Sequence, residues 1–295
     1  MKVYFSNNWG ESDEMLTLRM KTTTPENKGI WKNITCTSNL NEADYVVCLG
    51  GLNRRLNVRL NKIIILQREP DILRKFKMEN KLSFPYTKLH HAWTHPEHMQ
   101  MDYNMFSSIK YTPKTKNLSS ITTMRKHTPL CKQRIEFIQK FCNKYPNIMD
   151  VYGAQWDNRL GSSYKGELPF HNLNGANNRF SNNPDKSKYV GLKDYKYSLC
   201  IENSCYNGYF TEKITDCLLS WTIPIYFGCT NISNYFPKNS YIWIDINDPN
   251  SIDTLYEVIQ KPITEENVKA MEEARNLILE KYNIWELVHN IIKNN

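Results

Sequence analysis

The sequence predicts an α/β fold with largely parallel sheets. Two observations carry this: short β-rich runs alternate with helical patterns along the 295 residues, and the clearest runs are apolar on both faces. Lys2 to Ser6, Asp44 to Leu49 and Lys62 to Leu66 are the first three expected strands, and strands of that kind lie between helices. Pro70 and Asp71 open a helix expected through Lys77, since proline is tolerated in a first turn. The polar stretch Thr112 to Asn117 lacks a hydrophobic period and reads as an interdomain linker. Beyond it, strands are expected over 118–123, 148–152, 197–201, 223–227 and 241–246. Helices are expected over 131–145 and 211–220, with a short one over 231–235. Gly161 to Pro184 is rich in Gly, Asn, Ser and Pro and reads as a long loop. The amphipathic tail from Thr264 holds two helices that part near Tyr282 and Asn283. These readings give an α/β unit over 1–115 and a second over 116–263. The terminal helices follow over 264–295, with the first unit as their candidate packing surface.

Composition narrows the function classes. Hydrophobic residues at 40% and aromatics at 12% exclude a disordered or collagen-like chain. No apolar run approaches the roughly 18 residues that span a bilayer, and Met1 to Gly10 is too polar for a signal sequence. A soluble, cytoplasmic chain is therefore expected. The charge of +8 favours an anionic partner: nucleic acid, an anionic membrane or a phosphorylated small molecule. Basic residues are spread rather than blocked, and no RNP, KH or helix-turn-helix pattern occurs, so nucleic acid is not the expected partner. Peripheral membrane contact through the basic surface or the terminal helices stays open. Eight cysteines without a Cys-x-x-Cys pair are expected to be reduced and mostly buried.

The densest chemical signal runs from Tyr195 to Pro237. A strand ends in Glu202-Asn203, a Gly-containing turn follows, and a helix opens with Thr211, Glu212 and Lys213. Such a junction, at the carboxyl edge of a parallel sheet, is where α/β proteins bind ligands. The unpaired amides of a helix's first turn favour phosphate, and Lys213 adds a full positive charge, so the segment reads as a diphosphate cradle. The bland alternative makes Glu212 a carboxylate that complements the helix dipole and Lys213 a solvated surface residue. Neither G-x-G-x-x-G nor G-x-x-x-x-G-K-[ST] is present, which disfavours a dinucleotide-dependent dehydrogenase and a P-loop hydrolase.

Tyr197 to Ser204 (YSLCIENS), Gly208 to Lys213 (GYFTEK) and Thr222 to Gly228 (TIPIYFG) together resemble the family 10 α-1,3-fucosyltransferases, in order and in spacing. The resemblance implies a GT-B architecture, two Rossmann-like domains facing each other across a cleft. It also implies an inverting transfer of L-fucose from GDP-fucose to a hydroxyl of a GlcNAc- or glucose-containing glycan, with no cofactor or metal required. Carried over, Asn203, Tyr209, Glu212 and Lys213 fall on donor-contacting positions, Lys213 against the diphosphate and Glu212 on the sugar or ribose side. Arg134 fits the family's arginine in the helix after the linker strand, and a guanidinium there would clamp the departing pyrophosphate. An inverting transfer needs a base on the opposite face of the sugar. Glu69, where the third strand ends before Pro70, is the natural supplier, and the family has a Glu in a comparable place. Ile201 departs from the family's usual Phe, and beyond Glu69 the first 115 residues do not align. The acceptor stays open, as do another nucleotide sugar as donor and a catalytically silent glycan- or nucleic-acid-binding descendant.

His90, His91, His95 and His98 invite a metal reading, but Pro96 interrupts the helix that would align them. Trp93 and His95 are instead candidate acceptor contacts, and no metal site is expected.

Overall fold

The structure is a computed structural model that describes residues 1–8, 10–51, 57–67, 86–88, 96–156, 158–168 and 183–294. Its first part comprises β1 (Lys2–Asn7), α1 (Asp13–Thr22), β2 (Ile30–Trp31), β3 (Ile34–Cys36), β4 (Tyr45–Leu49), β5 (Ile63–Gln67), β6 (Tyr86–Lys88), α2 (Pro96–Met99) and α3 (Tyr103–Ser108). The six strands form one sheet in the order β2-β3-β1-β4-β5-β6, parallel except for the β2–β3 pair. Side chains alternate between its faces, as the two-residue period of a strand requires. Val3, Phe5, Val47, Leu49, Ile64 and Leu66 enter one apolar cluster, and Tyr4, Val46, Cys48, Ile63 and Ile65 enter another. This double burial is why the strand runs carry no polar alternation.

The second part comprises β7 (Lys116–Ile121), α4 (Pro129–Lys144), β8 (Met149–Tyr152), β9 (Tyr195–Ile201), α5 (Glu212–Leu219), β10 (Ile223–Phe227), β11 (Ile242–Trp243) and α6 (Ser251–Val258). It ends with α7 (Glu265–Glu280) and α8 (Ile284–Lys293). Its sheet is wholly parallel, in the order β11-β10-β9-β7-β8. Counted within this part, the strand order is 2-1-3-4-5, a doubly wound arrangement whose switch point lies between β7 and β9. The strand order around β1 and β4 repeats the pattern. Helix α8 puts Ile284, Trp285, Val288 and Ile292 into the cluster on the first sheet, where Trp285 meets Phe5 edge-on at 5.0 Å.

Several expectations shift. The strand expected over 241–246 shortens to Ile242–Trp243, because Asp245 Oδ1 accepts from Asn247 N at 2.9 Å and turns the chain away. The polar stretch 112–117, which lies between the two sheets, is pinned by hydrogen bonds. Lys114 Nζ donates to the carbonyls of Lys193 at 2.6 Å and Ser220 at 2.9 Å, and Lys116 opens β7. Helix α1, which sequence reading misses, is capped by Ser12 accepting from Met15 N and buries Leu16 and Met20. The helix expected from Pro70 to Lys77 lies outside the described residues, as do residues 169–182 of the expected loop. All eight cysteines are free and seven are buried, in line with the expectation. Among the described residues, no helix is long and apolar enough to cross a membrane.

Candidate active site

A small cleft lies at the carboxyl ends of β7 and β9, the switch point of the sheet. Ile121 and Thr122 line it from the end of β7, Ser198 to Ile201 from β9, and Lys213 and Cys217 from α5. Arg134 on α4, with Lys188 and Leu192 from the turn before β9, complete a lining with three basic side chains. Three basic side chains thus meet on one cleft whose lining is otherwise mostly apolar, two of them beside carboxylates set back from it.

Each cation is held in a defined way. Thr128 caps α4, accepting from Cys131 N at 3.2 Å while donating to the Asn203 carbonyl at 2.5 Å, so the helix start is tied to the end of β9. One turn on, Arg134 Nη1 donates to the Ile201 carbonyl at 2.9 Å and to Asn203 Oδ1 at 3.0 Å. Its buried Nε has no hydrogen-bond partner within the protein. Lys188 forms a 2.6 Å ion pair with Asp216, which is wholly buried on α5. Burial alone would lower the pKa of the Lys188 ammonium, but the charges of Asp216 and Glu212 outweigh it and hold the value above the ordinary one.

Lys213 stands in the first turn of α5, whose cap is Thr211. Its Nζ lies 3.3 Å from Glu202, 3.6 Å from Glu212 and 3.1 Å from Thr211 Oγ1. Burial pulls its pKa down, the carboxylates of Glu212 and Glu202 push it up more strongly, and Arg134 and Lys188 oppose them; the net direction is upward. At neutral pH the ammonium is therefore charged. The preceding turn is set by Gly208, at φ 78°, whose N–H donates to Asn231 Oδ1 at 2.7 Å.

Of the residues singled out from sequence, Arg134 and Lys213 line this cleft together, and Asn203 is bonded to Arg134. Tyr209, 4% exposed and stacked on Tyr206, and the half-buried Glu212 flank the turn and the helix start without joining the lining. Glu69, Trp93 and His95 lie outside the described residues. Sequence reading missed Lys188 and did not give Glu202 a role. The signal for Lys188 lay in its partner: an aspartate between Ile214 and Cys217, on the apolar face of α5, demands a buried cation. No group of three or more His, Cys, Asp or Glu able to hold a metal occurs among the described residues.

Comparison with known proteins gives this geometry a family. Residues 112–270, just over half of the chain, match the model of glycosyltransferase family 10 (fucosyltransferase), C-terminal part. The chain is 37% identical over 82 residues to the alpha-(1,3)-fucosyltransferase FucT of Helicobacter pylori, 28% of this chain and 17% of that protein. It is 27% identical over 190 residues to alpha-(1,3)-fucosyltransferase B of Drosophila melanogaster, 63% of this chain and 38% of that one. These matches span less than two fifths of either relative's length. A crystal structure of an alpha1,3-fucosyltransferase with GDP superposes on all of this chain and on 90% of its own, with a TM-score of 0.50 at 17% identity. That likeness shows that the expected GT-B fold is shared. The family match covers the segment that builds the cation-lined crevice, and by it the chain belongs to glycosyltransferase family 10, the fucosyltransferase family.

Proposed function

We propose that the chain is an inverting glycosyltransferase that moves L-fucose from GDP-fucose to a hydroxyl of a GlcNAc- or glucose-containing glycan. The observation that carries the reading is the convergence of Arg134, Lys188 and Lys213 on one cleft at the switch point of the second sheet. A nucleoside diphosphate is the leaving group of such a transfer. Its departure concentrates negative charge at the bridging and terminal oxygens, where fixed cations lower the barrier. Lys213, on the first turn of α5, adds its charge to helix amides aimed the same way. On this reading residues 116–263 hold the donor and residues 1–115 face the acceptor. Glu69 takes the proton of the acceptor hydroxyl as that oxygen attacks the sugar C1 in line, and the C1–O bond to the diphosphate breaks. The proton ends on Glu69, the electron pair on GDP, and the configuration at C1 inverts. Basic side chains and helix amides do the work a metal does elsewhere, so activity should persist in the presence of a chelator.

The test is a transfer assay and a calorimetric titration with GDP-fucose, GDP-mannose and UDP-sugars. Binding and turnover of GDP-fucose, with the UDP-sugars rejected, are expected. Tight binding of a UDP-sugar without GDP-fucose binding would overturn the donor assignment.

A further inference from the structure

Glu202, like Asp216, is a fully enclosed carboxylate behind the site. It is wholly buried at the end of β9 and is not among the residues lining the cleft. Thr211 N donates to its Oε1 at 2.8 Å, and Thr211 Oγ1 donates to its Oε2 at 2.7 Å. The Tyr226 hydroxyl accepts from Cys229 N at 3.0 Å, which leaves its proton for Glu202 Oε1 at 3.4 Å. Lys213 Nζ lies 3.3 Å from Oε2 and donates to Thr211 Oγ1 at 3.1 Å. A β-carbon at Gly228 would stand 2.4 Å from Glu202 Cγ and 2.8 Å from the Tyr226 hydroxyl, so glycine leaves the room this carboxylate needs. Segments before α5, after β9 and at the end of β10 are thus shaped around one buried anion. Such an anion is costly unless a cation and hydrogen bonds satisfy it, and Lys213 is the cation that meets it.

We propose that Glu202 is a positioning residue of the diphosphate site: it touches no ligand, and its carboxylate, through Thr211, fixes the Lys213 ammonium at the start of α5 facing the cleft. The inference rests on the function proposed above. A free lysine has four rotatable bonds to order when an anion arrives. Here Glu202 and Thr211 hold the head group before the diphosphate enters, so less of the binding free energy goes into ordering it.

A double-mutant cycle tests this, with GDP and guanosine titrated into the wild-type chain, Glu202→Gln, Lys213→Ala and the double variant, and with Tm recorded for each. Lys213→Ala and Glu202→Gln should each weaken GDP by about tenfold or more, as expected for loss of a charge-assisted contact. The double variant should bind GDP no more weakly than Lys213→Ala alone, and guanosine affinity should not change. Losses that multiply in the double variant, or unchanged GDP affinity in Glu202→Gln while Lys213→Ala weakens it, would overturn the positioning role alone. Unchanged GDP affinity in Lys213→Ala would overturn the diphosphate reading itself. If Glu202→Gln does not fold, Thr211→Val, which keeps the carboxylate but removes the bridging hydroxyl, goes through the same cycle with the same expected and contrary outcomes.

Discussion

At the scale of single residues, the division of labour assigned here separates binding from proton transfer. Glu69→Gln should leave GDP affinity within about threefold of wild type and lower turnover by two orders of magnitude or more, the range set by general-base catalysis. Turnover near the wild-type rate would remove Glu69 from the base's role. The site was unevenly legible in the sequence. Lys213 stands out by its place in a helix's first turn and Arg134 only through the family resemblance; both line the cleft. Lys188 was hidden because its surroundings are polar and aperiodic, while its reason for being there is Asp216, 28 residues away. Glu202 shows in the sequence only as the residue that closes a strand. Its role depends on Gly228 and Tyr226 of a neighbouring strand and turn, which only the paired register of β9 and β10 brings together.

At the scale of elements, α8 shows how polar anchoring and apolar docking share one helix. Glu286, in its first turn, accepts from Trp31 Nε1 at 2.9 Å and Lys32 Nζ at 2.7 Å. Burial pushes the Glu286 carboxyl up, the contacts from Lys32 and Trp31 outweigh it, and the pKa lies below its ordinary 4.5. A carboxyl with a lowered folded-state pKa contributes stability above its unfolded pKa and loses it as pH falls through the folded value. Thermal unfolding followed from pH 7 down through the acid range should therefore show a loss of Tm below about pH 4.5. In Glu286→Gln that loss should be shallower; an unchanged acid slope would mean that the contacts of α8 with Trp31 and Lys32 carry no weight. Strands and long helices were read well where period and burial agree, as in Ile223–Phe227, whose expected bounds match the observed ones. Helix α1 is not, because two residues blur its apolar stripe: Leu18 is apolar yet 56% exposed, and Thr17 is polar yet buried. The polarity of the stretch 112–117 also has a local use, since Lys114 serves carbonyls of the turn before β9 and of the end of α5.

At the scale of the whole molecule, the last helix returns to the first sheet. Trp285 is wholly buried, packs against Phe5 and donates to Thr23 Oγ1 at 2.8 Å. Trp285→Ala should cost about 3–5 kcal/mol. Calorimetric unfolding should show the drop in Tm, whereas a change of less than about 1 kcal/mol would mean that α8 is dispensable to the first sheet. On the other half, Arg275 of α7 donates to the carbonyls of Leu219 and Phe106 and stacks over Trp221 at 4.5 Å. It thereby ties the far end of α5 to the segment joining the two sheets, while the near end of α5 presents Lys213 to the cleft. The largely parallel pairing of both sheets is implied by strands apolar on both faces, but the strand order needs coordinates, because sequence periodicity does not say which strand lies beside which. The central claim is that three cations at one switch point hold a diphosphate. Its most direct test is calorimetric titration of the full chain with GDP and, in parallel, with guanosine. GDP should bind at least about a hundredfold more tightly, as charge-assisted contacts to two phosphates require. Guanosine binding as tightly as GDP would contradict the account.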